Sequence, residues 1–233
     1  MDITPHKVFF ICGIDTDVGK TFATGLIARY FRERGVNVIT QKIAQTGNKG
    51  PISEDIAMHR KIMGIPLTEH DLSGDTCPYV FRLPASPHFA AKKEHSEIIP
   101  DRITKATERL LQDYDIVLLE GAGGFHVPLL PDYLISDYVT DLRYPTILVT
   151  SGKLGSINHT LLTLASVESR KLEITGLVYN SYGSPPGLET FRYFRKYGTV
   201  VKMPRFDAND PADVDFTPFF NVYAAFNAEH SEF

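Results

Sequence analysis

Gly13-Ile14-Asp15-Thr16-Asp17-Val18-Gly19-Lys20-Thr21 is the stretch on which the reading of this chain turns. Before it lies the apolar run Val8-Phe9-Phe10-Ile11-Cys12, which reads as a buried parallel strand. After it, Lys20 to Arg34 reads as a helix, with Phe22, Ala23, Leu26, Ile27, Tyr30 and Phe31 on one face and Gly35 as its stop. A glycine-rich strand-to-helix turn ending in Gly-Lys-Thr is a phosphate cradle. Backbone N–H groups and the helix N-terminus face the anion, Lys20 adds a cation, and the Thr21 hydroxyl can ligate magnesium. The common spacing puts four residues between the first glycine and Gly-Lys-Thr, whereas Ile14 to Val18 make five. The competing reading, a chance Gly-Lys-Thr in an ordinary turn, leaves the flanking strand and helix as coincidence.

Further apolar runs at 36–40, 115–119, 146–150, 174–179 and 199–203 alternate with helical patterns at 53–63, 101–112, 156–170 and 187–197. In the pattern at 156–170, Ile157, Leu161, Leu164, Ala165 and Glu168 keep a helical period with an apolar face. Strands alternating with helices predict a parallel sheet covered on both faces. With the phosphate loop, the expected fold is α/β of the P-loop nucleoside-triphosphatase type, one domain over residues 1–233. Ligands in such sheets sit beyond the carboxyl ends of the strands.

Composition narrows the function. Of 233 residues, 43% are hydrophobic and 22% charged, ordinary values for a chain that buries a substantial core. A formal net charge of -4 provides no electrostatic footprint for nucleic acid or an acidic membrane. Cys12 and Cys77 lack metal-ligand spacing, so a reducing cytoplasm is the expected compartment. The polar Met1–Lys7 stretch does not read as a signal peptide, and no apolar run reaches spanning length.

Four positions carry candidate chemistry. Glu120 closes the run Ile116-Val117-Leu118-Leu119 and precedes Gly121-Ala122-Gly123-Gly124. A carboxylate at a strand tip beside a phosphate loop suits a magnesium-facing role, against the alternative of a solvated strand-end acid. Asp55 falls in the first turn of a helix that Ser53 can cap, where the positive helix end favours the ionised carboxylate. It is a magnesium-ligand candidate or a surface acid complementing the helix dipole. Lys42, followed by Thr46-Gly47, is either a solvated strand-end lysine or a cation aimed at developing negative charge. Lys153-Leu154-Gly155-Ser156-Ile157-Asn158-His159 opens a helix whose free N–H groups form either a second anion site or an ordinary start capped by Ser156.

Together these residues resemble the dethiobiotin synthetase family. The resemblance runs from about Val8 to Asn180 and rests on the extended phosphate loop, Lys42 with Thr46-Gly47, and Asp55. It continues through Ser86-Pro87-His88, Glu120 to Gly124, Lys153 to His159, and Asn180. It implies a reaction of 7,8-diaminononanoate, carbon dioxide (or bicarbonate) and ATP with Mg2+, giving dethiobiotin, ADP and phosphate. A substrate amine forms a carbamate, the γ-phosphoryl group moves to it, and the second amine closes the cyclic urea.

The resemblance also implies roles. Asp17, Val18, Gly19, Lys20, Thr21 and Phe22 would wrap the phosphates, and Thr21, Asp55 and Glu120 would hold the metal. Lys42 would stabilise carbamate and phosphoryl group, making Lys20 and Lys42 the catalytic pair. Thr16 and Thr46 would face the diamine, and Gly121, Ala122 and Gly123 would line the crevice. Asn180, Ser181, Pro204, Arg205 and Phe206 would border the base. The implied assembly is a homodimer in which Leu154, Gly155, Ser156, Ile157 and Asn158 of one subunit hold the diamine carboxylate in the other. Asp17 stands where the family often has Glu. Ser181 replaces a frequent Asp, which leads us to expect a looser preference for ATP over other triphosphates.

The runner-up is a partitioning or septum-positioning ATPase switch. Its loop carries a lysine directly after the first glycine, where this chain has Ile14. Phe216, Phe219, Phe220, Tyr223 and Phe226 make an apolar tail without basic residues, so core packing is expected of them rather than membrane binding.

Overall fold

A computed structural model describes residues 6–181, 189–204 and 213–220. The chain runs β1 (Val8–Gly13), α1 (Lys20–Glu33), β2 (Val38–Lys42), α2 (Glu54–Met63), α3 (Glu69–Ser73) and α4 (Pro87–Lys93). It continues with α5 (Pro100–Asp113), β3 (Ile116–Gly124), β4 (Pro128–Leu130), β5 (Tyr133–Leu134), α6 (Ile135–Leu142) and β6 (Thr146–Ser151). Then come α7 (Ser156–Ser169), β7 (Ile174–Asn180), α8 (Glu189–Phe194) and β8 (Val200–Met203). Six strands form one sheet in the order β2-β3-β1-β6-β7-β8, parallel at every pairing, while β4 and β5 make a separate antiparallel pair.

The sheet is buried on both faces, as its continuous apolar strands require. Every residue of β1, β2 and β6 is buried. Successive side chains alternate between faces. Phe9, Ile11, Val38, Ile116 and Leu118 pack with α1, α2 and the segment 214–220. Phe10, Cys12, Ile39, Val117 and Leu119 pack with α4 to α8. By the same alternation Thr40, Lys42 and Glu120 point to the α1–α2 side, and register sets Lys42 opposite Glu120.

Two expectations need correction. β2 begins at Val38 and runs through Lys42, and β3 continues to Gly124. Glu120 is therefore no strand-tip acid; it sits inside β3, fully buried. The helix at α7 forms as its period predicts, but it buries Ser156, Thr160 and Val167, keeps Leu161 and Leu164 only half-buried, and leaves Ile157 and Leu162 exposed, as is Leu154 just before it. The short elements α3, α4 and β4–β5 and the eight-residue α6 offer too few turns or alternations to stand out in sequence.

The aromatic tail packs as core where it is described. Phe216, Phe219 and Phe220 are buried, Phe220 lies 4.5 Å from Phe31 between ring centroids, and Tyr30 Oη sits 2.8 Å from Thr217 Oγ1. Tyr223 and Phe226 lie outside the described residues, as do Gly187 and Leu188 of the helix read at 187–197. Cys12 and Cys77 are both buried free thiols, which desolvation pushes up to about 12. Among the described residues no helix is long and apolar enough to cross a membrane.

Candidate active site

The loop leaving β1 is shaped by two left-handed residues, Asp17 (φ 56°) and Gly19 (φ 99°). Gly19 is also held at close quarters: a Cβ there would come within 2.5 Å of Asn180 Nδ2. That amide, at the carboxyl end of β7, donates to Val18 O at 2.9 Å and ties the loop to the far strand. No side chain caps the start of α1, so its first N–H groups remain available to an anion. Lys20 Nζ folds back onto Asp15 O at 2.8 Å. Burial and the neighbouring Lys42 charge push the Lys20 ammonium below its ordinary range, against the pull of Glu120 and Asp55. Phosphate oxygens bound there would supply negative charge that raises it again.

Beside the loop, three elements bring their charges together. Lys42 Nζ lies 2.6 Å from Glu120 Oε1 and 2.6 Å from Asp55 Oδ2. Thr21 Oγ1 donates to Asp55 Oδ1 at 2.9 Å and lies 3.5 Å from Glu120 Oε1. Asp55 is delivered by the start of α2, where Ser53 Oγ accepts from Ile56 N at 3.2 Å and donates to Gln45 Oε1 at 2.6 Å. Burial disfavours both members of the Lys42–Glu120 pair in charged form. Even so, the Glu120 and Asp55 charges hold Lys42 well above its ordinary range. Lys42 and the His59 hydrogen bond hold Glu120 well below the usual carboxylate range. Both groups therefore stay ionised.

A hydroxyl and two carboxylates are hard oxygen donors, the set that suits Mg2+ shared with phosphates. Among the described residues no group of three or more His, Cys, Asp or Glu forms a cage. A magnesium ion here would thus take phosphate oxygens and water as its remaining ligands.

These residues open on a cavity of 570 Å³. Of the residues expected from sequence, Thr16, Asp17, Gly19, Lys20, Thr21, Phe22, Lys42, Thr46, Asp55, Glu120, Ala122, Gly123 and Asn180 line it. Ala44, Gln45 and Met203 line it as well, without having been assigned a role. Val18 is buried behind the loop, and Gly121 backs onto Phe10, whose Cζ a Cβ there would meet at 2.8 Å. Ser181 Oγ donates to Met203 O at 2.9 Å, so Ser181 supports the cavity rim without lining it, and Pro204 follows that strand. Arg205 and Phe206 lie outside the described residues. Leu154, Gly155, Ile157 and Asn158 are exposed and contribute nothing to the cavity of their own chain; Ser156 is buried, its Oγ 2.8 Å from Ser151 Oγ.

Sequence reasoning missed one buried contact altogether: His59 Nε2 lies 2.9 Å from Glu120 Oε2. A signal was present, since His59 stands four residues after Asp55 on α2 and so shares its face.

A family model described as an AAA domain (AAA_26) matches residues 7–209. The chain is 56% identical over 176 residues to the ATP-dependent dethiobiotin synthetase BioD 2 of Haemophilus influenzae, covering 76% of this chain and 92% of that one. It is 52% identical to the protein of the same name in Pasteurella multocida, covering 82% and 91% of the two chains. The likeness to the ATP-dependent dethiobiotin synthetase BioD of Chlorobaculum tepidum is 56%, covering 76% and 73%. Among solved structures, a ParA family ATPase from Chlorobium tepidum superposes with a TM-score of 0.52 at 14% identity, covering 87% and 86%. The signal recognition particle receptor FtsY of Elizabethkingia anophelis gives 0.54 at 16%, covering 94% of this chain and 64% of that one. At these identities the structural likeness speaks for the fold alone.

Proposed function

The chain belongs to the dethiobiotin synthetase family of ATP-dependent ligases, and from that premise we propose how its residues make dethiobiotin from 7,8-diaminononanoate, carbon dioxide and ATP. The observation that carries the reading is the convergence of Thr21, Lys42, Asp55 and Glu120, linked by contacts of 2.6–3.5 Å, beside the phosphate loop. Phosphoryl transfer needs positioning and charge neutralisation more than covalent help, and this cluster supplies both.

The backbone from Asp17 to Phe22 wraps the triphosphate, with Lys20 on its terminal oxygens. Thr21, Asp55 and Glu120 would hold Mg2+, which would supply positive charge to neutralise the phosphate oxygens. Carbon dioxide adds to one substrate amine, which loses a proton to become a carbamate. Lys42 steadies the carbamate oxygen as it displaces ADP from the γ-phosphorus, forming a carbamic–phosphoric anhydride. The second amine then attacks the carbonyl carbon and expels phosphate, closing the urea ring. Thr16 and Thr46 face the diamine, and Asn180, with Met203, borders the base.

A homodimer completes the site in this reading. α7 exposes Ile157 and Leu162, and Leu154 is exposed just before it; a second copy would cover these apolar side chains while its residues 154–158 take the diamine carboxylate. Two buried, unpaired thiols fit a cytoplasmic setting. The rival reading, an ATPase switch of the same fold, leaves the residues of the family resemblance unexplained. Incubating the protein with diamine, bicarbonate and Mg-ATP should yield dethiobiotin and one ADP per product. ATP turnover stimulated by DNA or lipid vesicles, with no dethiobiotin formed, would reverse the choice.

A further inference from the structure

Glu120 is fully buried, yet each of its carboxylate oxygens has a different partner. Oε1 faces Lys42 at 2.6 Å and Thr21 at 3.5 Å, the side open to the cavity. Oε2 faces His59 Nε2 at 2.9 Å, on the closed side. The imidazole is itself anchored: its Nδ1 lies 3.0 Å from Thr40 Oγ1, and that hydroxyl accepts from Arg60 Nη1 at 2.8 Å. Arg60 is in turn clamped by Asp71, with Nε to Oδ2 at 2.9 Å and Nη2 to Oδ1 at 2.8 Å. Asp71 also accepts from Thr76 Oγ1 at 2.7 Å and from Thr68 N at 2.7 Å. Every member of the chain from Glu120 to Asp71 is buried.

The donors fix the direction of the chain. A guanidinium can only donate, so Thr40 Oγ1 accepts from Arg60 and has its own proton to give. An ionised carboxylate can only accept, so His59 Nε2 carries a ring N–H that points at Glu120, and Nδ1 can take the hydrogen bond of the Thr40 proton. The opposite tautomer would set a bare nitrogen lone pair against a carboxylate oxygen.

We propose that His59 is a positioning residue for the metal–phosphate end of the site: it pins Glu120 Oε2 so that only Oε1 is presented to the cation. The proposal rests on the reading of Glu120 as a magnesium ligand. Its consequence is independence from Lys42, because the carboxylate stays aimed when the lysine turns its ammonium toward substrate oxygens. Ligating carboxylates are commonly oriented by such hydrogen bonds, and losing one costs about 10–100-fold in metal affinity.

The test compares His59→Leu, His59→Gln and Thr40→Val with the unaltered protein and with Glu120→Gln. ADP binding is measured by calorimetry with Mg2+ and with EDTA, and turnover is titrated with Mg2+. In His59→Leu the tightening of ADP by Mg2+ should shrink, and half-maximal Mg2+ should rise by about tenfold or more. Binding in EDTA and kcat at saturating Mg2+ should stay near their original values. His59→Gln, whose amide N–H reaches the same oxygen, should recover most of the effect, and Thr40→Val should show part of it. Nitrogen-15 shifts of the imidazole in the unaltered protein should report the proton on Nε2. Loss of ADP binding regardless of Mg2+, or an unshifted Mg2+ response, overturns the proposal by making His59 merely structural. If His59→Leu does not fold, an unshifted Thr40→Val has the same force. An unshifted Glu120→Gln instead overturns the metal reading itself, whereas a shift there with none in His59→Leu overturns the role of His59 alone.

Discussion

Lys42 has carboxylates on two sides at 2.6 Å and is buried in the cavity wall, so its charge is committed to the site. We expect Lys42→Ala and Lys42→Met to lower kcat by about 10²–10³-fold, the usual loss when a developing charge is deprived of its buried partner. Steady-state kinetics decide the role, since a change confined to KM would make Lys42 a binding residue only. Removing the cation also strands Glu120 and Asp55, which should cost about 3–5 kcal/mol by urea unfolding for a buried pair. At this scale the phosphate loop could be read directly, because a cradle built from consecutive residues is a local object. The choice between an idle and a working Lys42, Asp55 or Glu120 could not, since each alternative is compatible with the same neighbours in sequence.

Elements position these residues by close approach. α1 and α2 meet across Gly25, where a Cβ would come within 2.6 Å of Ile62 Cδ1. Helix propensity alone favours alanine over glycine by about 0.5–1 kcal/mol. Here the contact decides the sign, and Gly25→Ala should destabilise the protein by about 1–3 kcal/mol through overpacking. Denaturant midpoints for Gly25→Ala, Ile62→Val and the double variant check this: Ile62→Val should relieve part of the loss. Because α1 carries Thr21 and α2 carries Asp55, the same change should weaken Mg2+-dependent nucleotide binding. Periodicity disclosed both helices, but not that the glycine between them sets their separation. Likewise the period of α7 announced an apolar face, while the side it buries proved to be the one bearing Ser156, Thr160 and Val167.

On the scale of the whole molecule, a cluster remote in sequence links α3 to α5. His70 Nδ1 lies 3.1 Å from Asp75 and Nε2 lies 2.9 Å from Asp113, while Arg109 meets Asp75 at 2.6 Å. Partial burial opposes the imidazolium, but the two carboxylates outweigh it and raise His70 above its ordinary 6.5. A raised value means stability that is fully present below the unfolded value and lost as pH rises through the folded one. Replacing His70 by Gln should therefore lower the denaturation midpoint more at about pH 6 than at about pH 9. Equal losses at both would show that the imidazolium contributes nothing. The exposed face of α7 makes a separate prediction. Leu162→Asp should keep the circular dichroism of the fold, yield monomers by sedimentation, and lose turnover if a second copy completes the diamine site.

Signals confined to neighbouring residues were legible before any folding was considered: the nine-residue loop, the apolar strands, the longer helices and their alternation. Each is specified by steric and hydrogen-bonding preferences that act over a few residues. The chemistry of the cluster came from elsewhere. Thr21 and Asp55 are 34 positions apart, Lys42 and Glu120 are 78 apart, and His59 and Glu120 are 61 apart. Parallel register brings Lys42 opposite Glu120, and the packing of α2 on that face brings Asp55 and His59 to them. Such pairings depend on how strands align and helices approach in space, and short-range preferences carry no information about either.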